Sequence, residues 1–277
     1  MINPEQQKSR IQKLRELHAA PDSFVIANAF DAGSARILQG LGFAALATSS
    51  GAAAGVLGRL DGSISRAESL GQAEVIAAAV EIPVSADLEG GFGDAPGDVA
   101  ATIREAIARG LAGASIEDAT MDPTTPLYGF SQAVERIEAA VEAAQKSGTG
   151  FMVTARSENF LRGNPDLDDT IRRLQAFEKA GADVLFAPGL PTLEAVRTVC
   201  AAVSRPVNFM AGIPGRSFSV AELRAAGVKR ISLASSLHTA AMSAVVAAAE
   251  EVMQQGTFGY LDHTAPAAKV RGAWKRS

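Results

Sequence analysis

Cysteine is almost missing from this chain: Cys200 stands alone among 277 residues. A single thiol excludes an internal disulfide and any multi-cysteine zinc or iron–sulfur site, and it fits a reducing, cytoplasmic setting. Histidine is nearly as scarce, with three scattered copies at 18, 238 and 263, too few for the ligand sets zinc prefers. Basic runs are absent as well. Twenty-six Lys and Arg against 30 Asp and Glu leave a net charge of −4, far from the strongly basic balance of nucleic-acid-binding domains. Nucleic acid is therefore excluded as an expected partner. Residues 1–18 mix Glu, Gln, Lys and Arg and lack the continuous apolar core of a signal peptide. Later apolar stretches such as 240–249 fall short of the ~20 residues that span a bilayer, so no membrane partner is expected. No linker, low-complexity stretch or charge run divides the chain.

What is present is repetition. Short apolar runs at 24–27, 44–48, 83–87, 113–117, 151–155, 184–186, 207–210 and 230–233 read as buried strands. Ala-rich stretches with helical spacing lie between them, at 67–80, 98–109, 133–145, 168–179, 193–203, 220–225 and 242–253. Strand then helix, repeated about eight times with strands apolar on both faces, predicts parallel βαβ units. A glycine recurs where helices hand over to strands, in Leu41-Gly42-Phe43, Arg109-Gly110-Leu111, Ala180-Gly181-Ala182 and Ala226-Gly227-Val228. Glycine accepts the left-handed conformation that closes a helix. Eight units in ~250 residues suit one closed (β/α)8 barrel better than two open sheets. The expectation is a single α/β domain over 1–277, with a leading helix at 1–18 and a C-terminal helical tail at 258–277.

In such a barrel the chemistry sits at the C-terminal strand ends and the loops beyond them. Those positions carry Thr48-Ser49-Ser50-Gly51 and Asp61 after the second strand, and Asp87-Leu88-Glu89-Gly90-Gly91-Phe92-Gly93 at the third. Glu117-Asp118 end the fourth, Arg156-Ser157-Glu158-Asn159 the fifth, and Asn208 lies in the seventh. Three carboxylates converging as Asp87, Glu89 and Glu117 repel one another unless a cation joins them, and their hard oxygens suit Mg2+ with retained waters. The competing reading, helix caps or partners for surface arginines, is even for each residue alone and weaker for the set. Ser50 and Gly51 can present hydroxyl and N–H groups to an oxyanion, or form a turn of small residues. The glycines after Glu89 lack the lysine and hydroxyl of a P-loop. Arg156 ends an apolar strand, where an unpaired charge is costly. It calls for a structural carboxylate or an anionic substrate, which its planar fork fits.

Taken together and in order, these segments resemble the isocitrate lyase/phosphoenolpyruvate mutase superfamily over residues 27 to 241. The acidic-x-acidic pair before a glycine-aromatic-glycine turn, then Ile116-Glu117-Asp118, then Ala155-Arg156-Ser157-Glu158-Asn159-Phe160 carry the likeness. The resemblance implies a Mg2+-dependent (β/α)8 barrel, with Mn2+ as a possible substitute, that cleaves C–C or P–C bonds next to a carboxylate. It implies that Asp87, Glu89 and Glu117 hold the metal directly or through water. Ser50 and Gly51, with neighbouring Ser49, correspond to the pair that binds the substrate's carboxylate and oxo oxygens. Asp61 corresponds to a loop aspartate over the site, Arg156 to an arginine facing the substrate's anionic end. It also implies a homo-oligomer, dimer or tetramer, in which a C-terminal helix is often exchanged.

Departures from the family pattern narrow the activity. The lyase loop with its catalytic cysteine is replaced by Ala119-Thr120-Met121-Asp122-Pro123-Thr124-Thr125-Pro126-Leu127-Tyr128-Gly129, and Cys200 falls within a helix. Isocitrate and methylisocitrate lyase activities are therefore not expected. The phosphonomutase lysine is missing from the same loop, and the sixth strand ends in Phe186-Ala187-Pro188-Gly189 without histidine. The expected activity is a Mg2+-dependent C–C lyase or decarboxylase for small 2-oxo or 2-hydroxy dicarboxylic acids, oxaloacetate-like, with Asn208 and Arg156 as further substrate contacts and a metal-stabilised enolate. A retro-aldol cleavage would need a base, for which Tyr128 and His238 are the candidates. A C–P mutase or hydrolase and a non-catalytic 2-oxo-acid-binding barrel are the alternatives.

Overall fold

The computed structural model describes residues 2–274. Eight strands run in sequence order around one closed, all-parallel barrel: β1 (Phe24–Asn28), β2 (Leu46–Ala47), β3 (Val84–Asp87), β4 (Gly113–Glu117), β5 (Met152–Arg156), β6 (Val184–Phe186), β7 (Val207–Met210) and β8 (Arg230–Ser232). The ring closes where Phe24 pairs with Arg230 and Ile26 with Ser232. The expected barrel is the observed one.

Helices α1 (Pro4–Ala19), α2 (Ala32–Gly40), α3 (Ser50–Val56), α4 (Arg66–Ala79), α5 (Pro96–Ala108), α6 (Phe130–Lys146), α7 (Leu167–Lys179), α8 (Leu193–Ala202), α9 (Val220–Ala225) and α10 (Ser236–Gln255) surround or follow the strands. Their starts are written locally: Asn3, Asp31, Ser65 and Ser219 each form a reciprocal capping box with the residue three positions on. The handover glycines behave as their recurrence predicts, with Gly110 at φ 82° and Gly227 at φ 93°. Both lie where a side chain would be strained.

One end of the barrel is shut. Ile11 and Leu14 of α1 pack with Ile26, Ala45, Ala112, Met152 and Val184, burial worth roughly 1.5–3 kcal/mol for each large side chain. Gln7 adds hydrogen bonds from Nε2 to the carbonyls of Ile107 and Leu111 at 2.7 and 3.0 Å. This closes the N-terminal strand ends and leaves the C-terminal ends as the open face.

Three local expectations shift. The second strand is two residues long rather than five, and the polar segment after it is helical: Ser50 and Gly51 open α3. The last long helix begins at Ser236 rather than near 242. The tail holds a 3-10 turn at Gly259–His263 and α11 (Ala267–Gly272), and its last three residues lie outside the described ones. Among the described residues no helix is long and apolar enough to cross a membrane.

Candidate active site

Two adjoining cavities open at the C-terminal strand ends. The first, about 310 Å3, runs from Ser50, Gly51, Asp61, Asp87 and Arg156 down to Asn208, Arg230 and Ser232 inside the barrel. The second, about 440 Å3, shares Ser50, Asp61 and Arg156 and adds Glu89, Glu117, Glu158 and Arg162. The first volume alone reaches the range of small-molecule sites.

Arg156 is the hub between them. Its Nη1 donates to Asp87 Oδ1 at 2.8 Å and its Nε to Glu158 Oε1 at 2.9 Å, while Nη2 lies 3.0 Å from Glu117 Oε2. A second arginine, Arg162, reaches the other Glu117 oxygen at 3.0 Å. Burial opposes the charge on Arg156, but Glu158, Glu117 and Asp87 outweigh it and hold the group well above the ordinary arginine value. Of the two needs the sequence left open for Arg156, the structural carboxylate is met three times over.

Asp87 ends β3 and is held from several sides. Its Oδ2 accepts from the Ser50 N–H at 3.1 Å, and its own N–H donates to Thr48 Oγ1 at 2.9 Å. Two residues on, Glu89 sits at φ 49°, a left-handed conformation that costs a non-glycine residue about 1–3 kcal/mol and is characteristic of functional sites. Its Oε1 is buried without a hydrogen-bond partner. Burial, then the charges of Asp87, Asp61 and Glu117, push its carboxyl up to about 8. Burial likewise raises Glu117 to about 7 against the pull of Arg156. Behind them Asp118 joins two strand ends, accepting from the Glu158 N–H at 2.8 Å and from Arg173 Nη1 at 3.0 Å. Burial lifts Asp118 to about 6.

Four oxygen-rich side chains thus crowd one corner of the barrel rim, and one carboxylate oxygen lacks a donor. Among the described residues, no three His, Cys, Asp or Glu form a ready-made metal cage. Asp87 and Glu117 are turned instead toward the Arg156 guanidinium.

The phosphoenolpyruvate phosphomutase profile matches residues 14–253. The chain belongs to the phosphoenolpyruvate mutase family. Among solved structures this family member is similar to a candidate lyase/mutase from Burkholderia cenocepacia J2315, with 46% identity, a TM-score of 0.94 and coverage of 97% of this chain and 96% of that one. It is also similar to 2,3-dimethylmalate lyase, a phosphoenolpyruvate mutase/isocitrate lyase superfamily member, at 30% identity and TM-score 0.84, covering 95% and 94%. An oxaloacetate decarboxylase of Bradyrhizobium diazoefficiens is 31% identical over 207 residues, 72% of this chain and 70% of its own. These relations place the chain among the lyases of the superfamily.

Within this family member, every site residue expected from the sequence lines one of the two cavities, Ser49 included, whose side chain also caps α3. The backbone N–H of Ser50 is committed to Asp87, so its hydroxyl and the Gly51 N–H are the donors left without a protein partner among the described residues. Asn208 is buried and spoken for on both sides: Nδ2 donates to Ser232 Oγ at 3.0 Å, and Oδ1 accepts from Arg230 Nε at 2.8 Å. Asp61 stays exposed, on a loop whose carboxylate approaches Gly51 so closely that a Cβ there would stand 3.3 Å from Asp61 Oδ2.

Neither candidate base lines these cavities. The Tyr128 hydroxyl donates to Asp94 Oδ1 at 2.6 Å, and burial followed by that bond drives it up to about 12. His238 packs edge-on against Phe30 at 5.3 Å, beside Gly55. Cys200 lies on α8, and burial raises its thiol to about 11. Three residues of the site carried no assigned role from sequence: Glu158 and Arg162, and Arg230 on the floor. An arginine opening a buried apolar run was the available signal for the last.

Proposed function

We propose that this chain is a divalent-metal-dependent carbon–carbon lyase or decarboxylase acting on small 2-oxo or 2-hydroxy dicarboxylic acids, oxaloacetate-like compounds among them. The observation that carries the reading is Glu89: a buried carboxylate oxygen with no donor, crowded by Asp87, Asp61 and Glu117. Hard oxygens, mutual repulsion and an unfilled lone pair fit a small divalent cation that keeps part of its water shell. Asp87, Glu89 and Glu117 would hold Mg2+, or Mn2+ in its place, and the ion would supply Lewis-acid polarisation of an oxo group.

The chain's own groups do the rest. Arg156 tethers one oxygen each of Asp87 and Glu117 and so keeps the two carboxylates at the same rim. The Ser50 hydroxyl and Gly51 N–H face the cavity where charge develops on the substrate's oxo oxygen as the bond breaks. Asp61, on its exposed loop, covers the mouth and keeps water from the developing carbanion. Loss of CO2 from a 2-oxo acid needs an electron sink more than a base. The absence of Tyr128 and His238 from the cavity lining therefore favours decarboxylation over retro-aldol cleavage.

The family profile bears the phosphomutase name, which keeps a C–P reading as the second. The strand-six end, Phe186-Ala187-Pro188-Gly189, and the loop from Ala119 to Gly129 supply neither histidine nor lysine for a phosphoryl group. The deciding assay is a substrate panel at fixed Mg2+. CO2 or aldehyde released from dicarboxylic acids supports the lyase, and phosphate release or phosphonate rearrangement supports the C–P enzyme. Binding of 2-oxo acids without any product supports a binding protein. Excess EDTA, and separately Glu117→Ala, should each lower turnover by about 10²-fold or more. Full activity under both would remove the metal from the account. The working form we propose is a homo-oligomer.

A further inference from the structure

The loop between β3 and α5 carries Glu89, and its backbone is unusual. Among the described residues only Glu89, Phe92 and Ala234 hold a left-handed conformation without being glycine, and two of those three lie in this one loop. Glu89 stands at φ 49°, Gly91 at 85° and Phe92 at 60°. Such conformations persist only where the surroundings over-determine them. Two backbone bonds hold the start of the loop: the Gly91 N–H donates to the Leu88 carbonyl at 2.8 Å, and the Glu117 N–H to the Glu89 carbonyl at 3.0 Å. The rest of the loop is held from α6.

One side chain of that helix collects three of the loop's carbonyls. Arg136, 1% exposed, donates from Nη1 to the Gly93 and Asp94 carbonyls at 2.7 and 2.5 Å, and from Nη2 to the Gly90 carbonyl. Gly90 leaves room for this approach: a Cβ there would stand 3.1 Å from the Ala119 carbonyl oxygen and 3.5 Å from Nη2. Tyr128 completes the enclosure. Its ring centroid lies 4.0 Å from the guanidinium carbon, and its hydroxyl donates to Asp94 Oδ1 at 2.6 Å. A buried charge is costly unless it is paired and hydrogen-bonded, and this one is met by backbone carbonyls and an aromatic face. Arg10 offers a comparison within the same chain. It sits on the Ala77 and Val80 carbonyls at 2.9 and 2.5 Å, at the closed end of the barrel, where no left-handed residue depends on it.

We propose that Arg136 is a positioning residue for the metal centre: it clamps the 89–94 loop in the strained form that presents the Glu89 carboxylate at the rim shared with Asp87 and Glu117. The Glu89 side chain does not hold itself there. Its Oε1 has no donor, and the like charges of Asp87, Asp61 and Glu117 push against it, so the gathering has to be enforced through the backbone. Arg136 lines neither cavity and touches the loop only behind the acidic set, which keeps the carboxylates together before a cation arrives. Support of this kind, one layer behind the ligands, orients them and tunes the affinity of a metal site. Tyr128 gains a place in the same device, as a wall of the guanidinium's seat and not as a base. The inference rests on the divalent-metal reading of the site and names what presets it.

The test is Mn2+ binding to the full chain, read from the electron paramagnetic resonance of the free ion, for wild type, Arg136→Met, Arg136→Lys and Arg10→Met. Wild type should bind Mn2+, and Arg136→Met should weaken that binding about tenfold or more. The sign is diagnostic, because loss of a nearby positive charge by itself tightens a cation. Arg136→Lys keeps the charge but not the planar fork, and should fall between the two. Arg10→Met removes an arginine from the same kind of carbonyl seat. It should lower the melting temperature as Arg136→Met does, yet leave Mn2+ affinity within about twofold of wild type. Hydrogen exchange of the wild type covers the case in which the Arg136 variants do not fold: the 88–94 segment should be protected in EDTA and slow by less than about twofold with Mg2+. Unchanged or tighter Mn2+ binding in Arg136→Met, equal weakening in Arg10→Met, or a segment that exchanges freely until Mg2+ is added overturns the clamp and leaves the metal reading intact. A wild type that binds no Mn2+ overturns both.

Discussion

Arg156 is a single side chain on which three buried or half-buried carboxylates depend, and its removal is more than the loss of one contact. Glu117 and Glu158 have side chains only 8% and 1% exposed, so Arg156→Met strips Glu158 of its ion-pair partner and leaves Glu117 with Arg162 alone. Breaking one partner of a buried ion pair costs about 3–5 kcal/mol, and urea denaturation should show a loss of that size. Arg156→Lys should recover only part of it, because a point charge cannot reach three acceptors in one plane. His18 gives a second residue-scale prediction, at the closed end of the barrel. Its Nδ1 bonds the Leu14 carbonyl at 2.8 Å, its Nε2 is buried without a partner, and burial, then Arg230, depress it from 6.5 to about 3. The folded ring is thus neutral where the unfolded one takes up a proton. Its contribution is complete above pH 6.5 and falls by about 1.4 kcal/mol per pH unit below that, until about pH 3. The urea midpoint of His18→Leu, followed from pH 7 to pH 4, should lose that one-proton slope. An unchanged slope would remove His18 as the sensor. Legibility at this scale follows chemistry that is local in sequence. Asp87, Glu89 and Arg156 stand in ordered motifs at strand ends, so their meeting could be read, whereas nothing around Arg230 says where a long side chain ends.

At the scale of elements, the strands were legible because burial on both faces leaves unbroken apolar runs, and the helices because caps and glycines punctuate them. The α3 helix was not. Its first two residues, Ser50 and Gly51, read either as oxyanion donors or as a turn of small residues, and each of the two glycines in Ser50–Val56 lowers helix propensity by roughly 1 kcal/mol. The reason for Gly55 lies in another element. A Cβ placed there would come within 2.5 Å of the His238 ring on α10, so α3 and α10 approach only because one side chain is missing. Gly55→Ala therefore gains helix propensity and loses packing. Overpacking typically costs about 1–3 kcal/mol, and the net effect in urea should be destabilising. Because the collision is with one ring, Gly55→Ala combined with His238→Ala should be less destabilised than the sum of the two single variants. Additive losses would show that the ring is not what excludes the methyl.

At the scale of the whole molecule, the longest helix packs least. None of the 20 residues of α10 is buried, and Met242, Val245, Val246 and Met253 are 43%, 59%, 55% and 84% exposed, with Phe258 and Leu261 beyond. The alanine run at 240–249 was compatible with a helix covering its own barrel or another, because small residues allow close packing in both cases. In the structure the start of α10 packs on its own barrel through Leu237 and His238, and the apolar side chains from 242 to 253 stay exposed. The homo-oligomer proposed above would have its association surface on this apolar face, where burial of each such side chain against a partner is worth about 1.5–3 kcal/mol. If two copies meet by a two-fold axis, every substitution enters the interface twice. Val246→Glu then places two carboxylates in one apolar contact while leaving the isolated chain's core untouched. Light scattering after gel filtration should report a multiple of the chain mass for the wild type and the single-chain mass for Val246→Glu, with circular dichroism unchanged. A wild-type protein already at the single-chain mass, or a variant that remains assembled, would take α10 out of the interface and leave its apolar face without a function in assembly.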